Sequence, residues 1–194
     1  MRKRIANKTS NIFNPFLVAF VLIILVSLES TAGILDALKW ALVVIALSIL
    51  PLYLFTVYLV WTGGLDGVFA NVRKQRTKIY ALAVILAVVG YVVLFYLKAP
   101  LILLALFVTG FSAAIIFMCI NLWWKISLHT AVISASVTVL VILYGFAVVA
   151  TIGLIPLVAW ARVESGHHLL TQVLAGALLS ASILLAVFYL FGLV

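Results

Sequence analysis

The sequence predicts an all-α protein, a polytopic transmembrane helical bundle of about six to seven spans, and three observations carry that expectation. Hydrophobic residues make up 68% of the chain, mean hydropathy is +1.43, and only 8% of residues are charged. A soluble domain carries roughly a quarter charged residues, so a water-exposed surface cannot be built from this composition. The apolar runs are continuous, without the period-two alternation of a β-barrel. A ~30 Å hydrocarbon core takes about 20 helical residues per crossing. One domain over 1–194 is therefore expected, with 1–34 as basic N-terminus and first span and 62–193 as the core.

Arg2, Lys3, Arg4 and Lys8 precede an apolar run at 16–28. That resembles a secretory signal with Ser30-Thr31-Ala32 as its cleavage site, but apolar sequence returns at once, which favours a first span with a basic flank. A second span is expected over 35–61, kinked at Pro51. Thr62-Gly63-Gly64 then opens a polar loop holding Asp66, Arg73, Lys74, Arg76 and Lys78. Further spans are expected over 79–97 and 101–120, joined by a tight turn at Lys98-Ala99-Pro100. Asn121-Leu122-Trp123-Trp124-Lys125 reads as an interfacial aromatic belt with a cationic anchor. The apolar stretch 127–162 is too long for one span, so two short helices over 128–144 and 146–161 are expected, broken at Tyr144-Gly145. A last span covers 169–193, for a total of seven.

Seven spans put the loops 62–78, 121–128 and 162–168 on the side of the N-terminus. Most of the cations then share that side, with only Lys39 and Lys98 opposite, and the positive-inside rule makes it cytoplasmic. The net charge of +8 accordingly reads as a topology and anionic-headgroup signal, and nucleic acid is not an expected partner. Cys119 stands alone, which excludes an intrachain disulfide and a cysteine metal site.

Residues 161–172 gather Arg162, Glu164, His167, His168 and Gln172 at the end of an apolar run. Ionisable groups at the edge of hydrocarbon are costly and mark a functional site. The expected partners are Ser127 and His129 in one upstream loop and Arg73, Lys74 and Arg76 in another. Arginine forks match phosphate oxygens. Histidine titrates near neutrality, so one can attack as a neutral nucleophile while a second protonates a leaving group. Phosphate chemistry at the membrane surface is the resulting expectation. His129, His167, His168 and Glu164 also have metal-ligand chemistry, but their spacing is unspecific, and neither metal nor other cofactor is expected. Glu164 is expected to pair with Arg162 or hold a histidine, and Asp66 to steady the basic loop. Ser134, Ala135, Ser136, Ala175, Gly176 and Ala177 read as helix packing.

The order and spacing of these clusters resemble the phosphatidic acid phosphatase type 2 superfamily, whose motifs are KxxxxxxRP, PSGH and SRxxxxxHxxxD. The third is matched by Ala161-Arg162, His168 and Gln172, followed by Val173-Leu174-Ala175-Gly176; the second by Ile126-Ser127-Leu128-His129; the first, loosely, by Arg76-Thr77. The 33 residues from His129 to Arg162 suit the helical hairpin that joins the family's second and third motifs. The resemblance covers about 66–193. It implies His168 as a nucleophile forming a phosphohistidine, His129 as the acid for the leaving oxygen, and Arg76, Arg162 and Ser127 as phosphate holders, with Arg73, Lys74 or Lys78 replacing the charge of the motif lysine missing at Phe69. Phe69, Thr77, Ile126, Leu128 and Gln172 depart from the motifs. Glutamine in place of aspartate accepts a hydrogen bond from imidazole without stabilising its cation by charge, which implies slower turnover.

The expected activity is hydrolysis of a lipid or prenyl phosphate or diphosphate, with membrane lipids as the surroundings. The expected location is a prokaryotic cell membrane, N-terminus and motif loops cytoplasmic. Two alternatives stay open: a protein that binds anionic lipid with weak or no catalysis, and a small transporter or structural membrane protein.

Overall fold

Helix is the only regular structure among the residues described, 1–70 and 72–194 of a computed structural model. In chain order the helices are α1 (Arg2–Ile12), α2 (Pro15–Glu29), α3 (Ile34–Leu47), α4 (Ile49–Trp61), α5 (Arg76–Tyr96), α6 (Leu101–Asn121), α7 (Leu128–Tyr144), α8 (Leu154–Glu164) and α9 (Leu170–Leu190). Short 3-10 turns cover Arg73–Gln75 and Gly145–Gly153. Five stretches are long and apolar enough to cross a membrane: Ile34–Trp61, Arg73–Tyr96, Leu101–Asn121, Leu128–Glu164 and Leu170–Leu190. α1 and α2, bent by 41°, add a sixth if taken together. Leu42, Val88, Phe95, Leu178 and Leu185 are exposed on these helices. Water penalises so much apolar surface whereas hydrocarbon accepts it, so the protein is membrane-embedded.

The stretch Leu128–Glu164 is not one rod. Val158 of α8 packs with Ile133 and Val137 of α7, although a straight helix would hold residues 133 and 158 about 37 Å apart. The chain therefore reverses through Gly145–Gly153, and the sixth expected span, 146–161, corresponds to the second leg of this hairpin. That leg differs from expectation in its first half, which is 3-10 rather than α-helical. β-Branched Val148, Val149, Thr151 and Ile152 disfavour an α-helix there. Pro156 falls in the first turn of α8, where its missing N–H removes no helical bond.

Other breaks have equally local causes. α3 gives way to α4 at Ser48, three residues before Pro51. Proline cannot donate to the Leu47 carbonyl and its ring crowds that carbonyl, so the irregularity falls one turn upstream of the proline itself. Asn14 caps α2, its Oδ1 accepting from the Leu17 N–H at 3.0 Å, and Pro15 takes the first helical position. Between α5 and α6, Ala99 N–H donates to the Leu94 carbonyl at 2.9 Å and Lys98 N–H to that of Phe95 at 3.1 Å. The expected tight turn is the one formed.

Where a single domain was expected, the chain divides into two compact units. One comprises Met1–Leu22 with Lys125–Val194, the other Ile23–Trp124. In the second, α5 and α6 pair along their length, and Gly90 lets the Phe107 ring lie on the α5 backbone. In the first, α7 and α9 form the main interface, α8 packs on both, and α1 lies against α8. Ser134 Oγ donates to the Ala177 carbonyl at 2.8 Å. The small residues of α7 and α9 thus bring two backbones together.

Candidate functional site

The α7–α9 unit collects Ser127, His129, Arg162 and His168, with exposures of 0, 4, 3 and 6%. A guanidinium buried to this degree requires partners, since an isolated charge in low dielectric is strongly disfavoured.

The last turn of α8 sets the backbone. Gly166 N–H donates to the Val163 carbonyl at 2.9 Å and His167 N–H to that of Arg162 at 3.2 Å, with Gly166 at φ +73°. This pair of bonds is the Schellman arrangement, and its left-handed position is one that glycine adopts without a Cβ penalty. His168 N–H also reaches the Arg162 carbonyl, at 3.3 Å. The sequence Glu-Ser-Gly-His-His thereby stops α8 and holds the His168 backbone against that of Arg162.

Gln172, in the first turn of α9, orients the imidazole. Its Oε1 lies 3.0 Å from His168 Nδ1 and accepts from the Leu169 N–H at 3.2 Å. A backbone N–H can only donate, so the atom facing both groups is the amide oxygen. Nδ1 must then carry a proton, which in neutral imidazole leaves the lone pair on Nε2. Gln172, at the position where the resemblance expects aspartate, thus contacts the His168 ring through a neutral amide oxygen.

The expected convergence of the second and third polar loops is present. Lys125 Nζ donates to the His167 carbonyl at 2.9 Å, and Ser127 N–H donates to the Gln172 carbonyl at 3.3 Å. Ser127 also caps α7, its Oγ accepting from Thr130 N–H at 3.4 Å, and His129 sits in the first turn behind it. The N-termini of α7 and α9 consequently adjoin. Both helices offer their positive ends at this point, where Arg162 and Lys125 add full charges.

Arg162 Nη1 donates to Ser10 Oγ at 2.7 Å, both groups buried. Ser10 was not singled out in the sequence, and the only signal for it is the small pair Ala6 and Ser10 one turn apart on an otherwise charged helix. Glu164 pairs with Arg2 at 3.7 Å, not with Arg162 or a histidine as expected. It stands at the half-exposed end of α8, which the N-terminus of α1 reaches.

The remaining expected cations belong to the other unit. Arg73 Nη1 donates to the Asn121 carbonyl at 2.6 Å, and Asn121 Nδ2 returns a bond to the Arg73 carbonyl at 3.0 Å. A cation thus meets the C-terminus of α6, where the dipole favours it. Arg76 is buried with Nε donating to the Ala70 carbonyl at 2.8 Å, and it interacts with Tyr80 one turn along α5. Asp66 N–H donates to Gln75 Oε1 at 2.9 Å. Lys74 is exposed. In that unit, Arg73 and Arg76 brace the polar loop. Among the described residues, no three His, Cys, Asp or Glu side chains gather as a metal site requires.

No family model, curated protein or solved structure matches this chain.

Proposed function

We propose that this protein is an integral-membrane phosphohydrolase acting on a lipid or prenyl phosphate or diphosphate, and a divergent relative of the phosphatidic acid phosphatase type 2 superfamily. The observation that supports this best is the double use of Gln172 Oε1 by Leu169 N–H and His168 Nδ1. It leaves Nε2 as the basic nitrogen of a buried histidine beside a buried arginine. In the first step the Nε2 lone pair attacks phosphorus, the bond to the leaving oxygen breaks, and His129 as imidazolium donates its proton to that oxygen. Water then attacks the phosphohistidine, its proton returns to His129, and phosphate leaves with His168 restored. Arg162, Ser127 and the paired helix N-termini stabilise the charge on the transferring group. The distribution of cations in the sequence supports the cytoplasmic headgroup boundary as the place of this chemistry.

The testing experiment is a rapid alkaline quench of the detergent-solubilised protein turning over ³²P-labelled phosphatidate and a prenyl phosphate. Label that is stable to base, labile to acid and mapped to the 167–172 peptide is expected. Turnover with no such label would refute His168 as nucleophile.

The neutrality of Gln172 favours a second reading, an anionic-lipid binder with little turnover. Gln172→Glu keeps the side-chain length and supplies the missing charge, so phosphate release should rise about tenfold through better imidazolium stabilisation. If wild type and Gln172→Glu both bind lipid phosphate and neither releases phosphate, the binding reading replaces the enzymatic one.

A further inference from the structure

We propose that Ser10 is a positioning residue for Arg162, which makes α1 a part of the phosphate site and not only a basic flank. This rests on the reading of Arg162 as the phosphate-holding cation. Three observations on separate residues support it. Ser10 Oγ accepts from Arg162 Nη1 at 2.7 Å, with 152 residues of chain between them. Ala6, fully buried one turn earlier, removes the bulk that would hold α1 away from α8. Arg2 and Glu164, at 3.7 Å, tie the far end of α1 to the end of α8 that carries the arginine.

The chemistry follows from the guanidinium fork. Arginine has five N–H donors in one plane on a long flexible stem. Anchoring Nη1 on a fixed hydroxyl oxygen selects one rotamer and turns the rest of the plane to a single direction. A serine oxygen does this without cancelling the charge, as a carboxylate would. The exposed face of α1 holds Arg2, Lys3, Arg4 and Lys8, and its buried stripe offers Arg162 this single hydroxyl. Ser10 therefore sets the orientation of the cation from outside the α7–α9 core without itself neutralising its charge.

The experiment uses the full chain in detergent. It measures orthophosphate affinity by calorimetry, KM and kcat for lipid phosphate, and thermal unfolding, for wild type, Ser10→Ala, Ser10→Thr and Ser10→Cys. Ser10→Ala should weaken orthophosphate binding and raise KM by about tenfold, the scale of one hydrogen bond to a charged group, and lower kcat as well, since Arg162 also stabilises the transferring group. Ser10→Thr should restore wild-type values, and Ser10→Cys, a poorer acceptor of similar shape, should fall between and serves if the alanine protein does not fold. On an Arg162→Lys background, Ser10→Ala should cause no further loss. Unchanged phosphate affinity in Ser10→Ala, or a threonine protein as impaired as the alanine one, overturns the assignment, as does a wild type that binds no orthophosphate. Wild type that binds phosphate with the expected Ser10 dependence but hydrolyses no lipid phosphate overturns the enzymatic reading alone.

Discussion

His168→Ala should reduce phosphate release from lipid phosphates to the detection limit, a loss of about 10⁵-fold or more, because removing a covalent nucleophile costs on the order of 10⁶ in enzymes where it has been measured. The protein should stay folded. The imidazole is held by Gln172, while the Schellman turn that shapes this segment is made by backbone groups of Arg162, Val163, Gly166 and His167 and does not need the ring. The Gln172 amide retains its bond from Leu169 N–H, so no orphaned acceptor results. Activity and thermal unfolding measured on one preparation decide the matter. Equal phosphate release by wild type and variant would remove His168 from the mechanism, whatever the motif match.

Gly176→Ala should have the second largest effect, and it reaches the site through packing. A Cβ at 176 would lie 2.6 Å from the Ser127 carbonyl oxygen and 2.9 Å from Thr130 Oγ1. The first neighbour is backbone, which cannot rotate aside, so α7 and α9 must separate. Overpacking of this kind costs about 1–3 kcal/mol. The movement falls where Ser127 N–H meets the Gln172 carbonyl, between the elements that carry His129 and His168. Displacements of about 1 Å can cost 10²-fold in rate, so a loss near 10²-fold with a lowered unfolding temperature is expected. Gly110→Ala, whose Cβ would meet nothing within 4 Å, is the control and should change neither. A Gly176→Ala protein with wild-type activity and stability would mean that this contact does not set the site.

Much of the fold was legible because its determinants are local. The composition forces helices into hydrocarbon, and the span limits at 101–120 and 169–193 fall within a few residues of α6 and α9. The reversal at Tyr144-Gly145 followed from length, since no single crossing uses so many residues. The 3-10 character of Gly145–Gly153 was not read, although its β-branched run is visible. Pro51 was assigned the kink that appears at Ser48, because a proline disturbs the carbonyl four residues before it. At the site, Arg162, His168, Gln172 and Ser127 were legible from residue type and spacing. Ser10 and the Arg2–Glu164 pair were not, since no periodicity links a residue in the first helix to one in the eighth. The division into two units was hidden for the same reason. It depends on which helices pair, and apolar faces of similar composition do not specify their partners.

The bond between Ser10 and Arg162 bridges 152 positions of chain, and that separation bears on biogenesis. During synthesis the first helix emerges long before its docking surface, and the whole of Ile23–Trp124 is translated in the interval. Non-local closures are slow to form, and the Ser10–Arg162 bond cannot form until the eighth helix has been synthesised. A nascent chain arrested before residue 154 would contain most of the protein's hydrophobic mass and neither Arg162 nor its contact with Ser10.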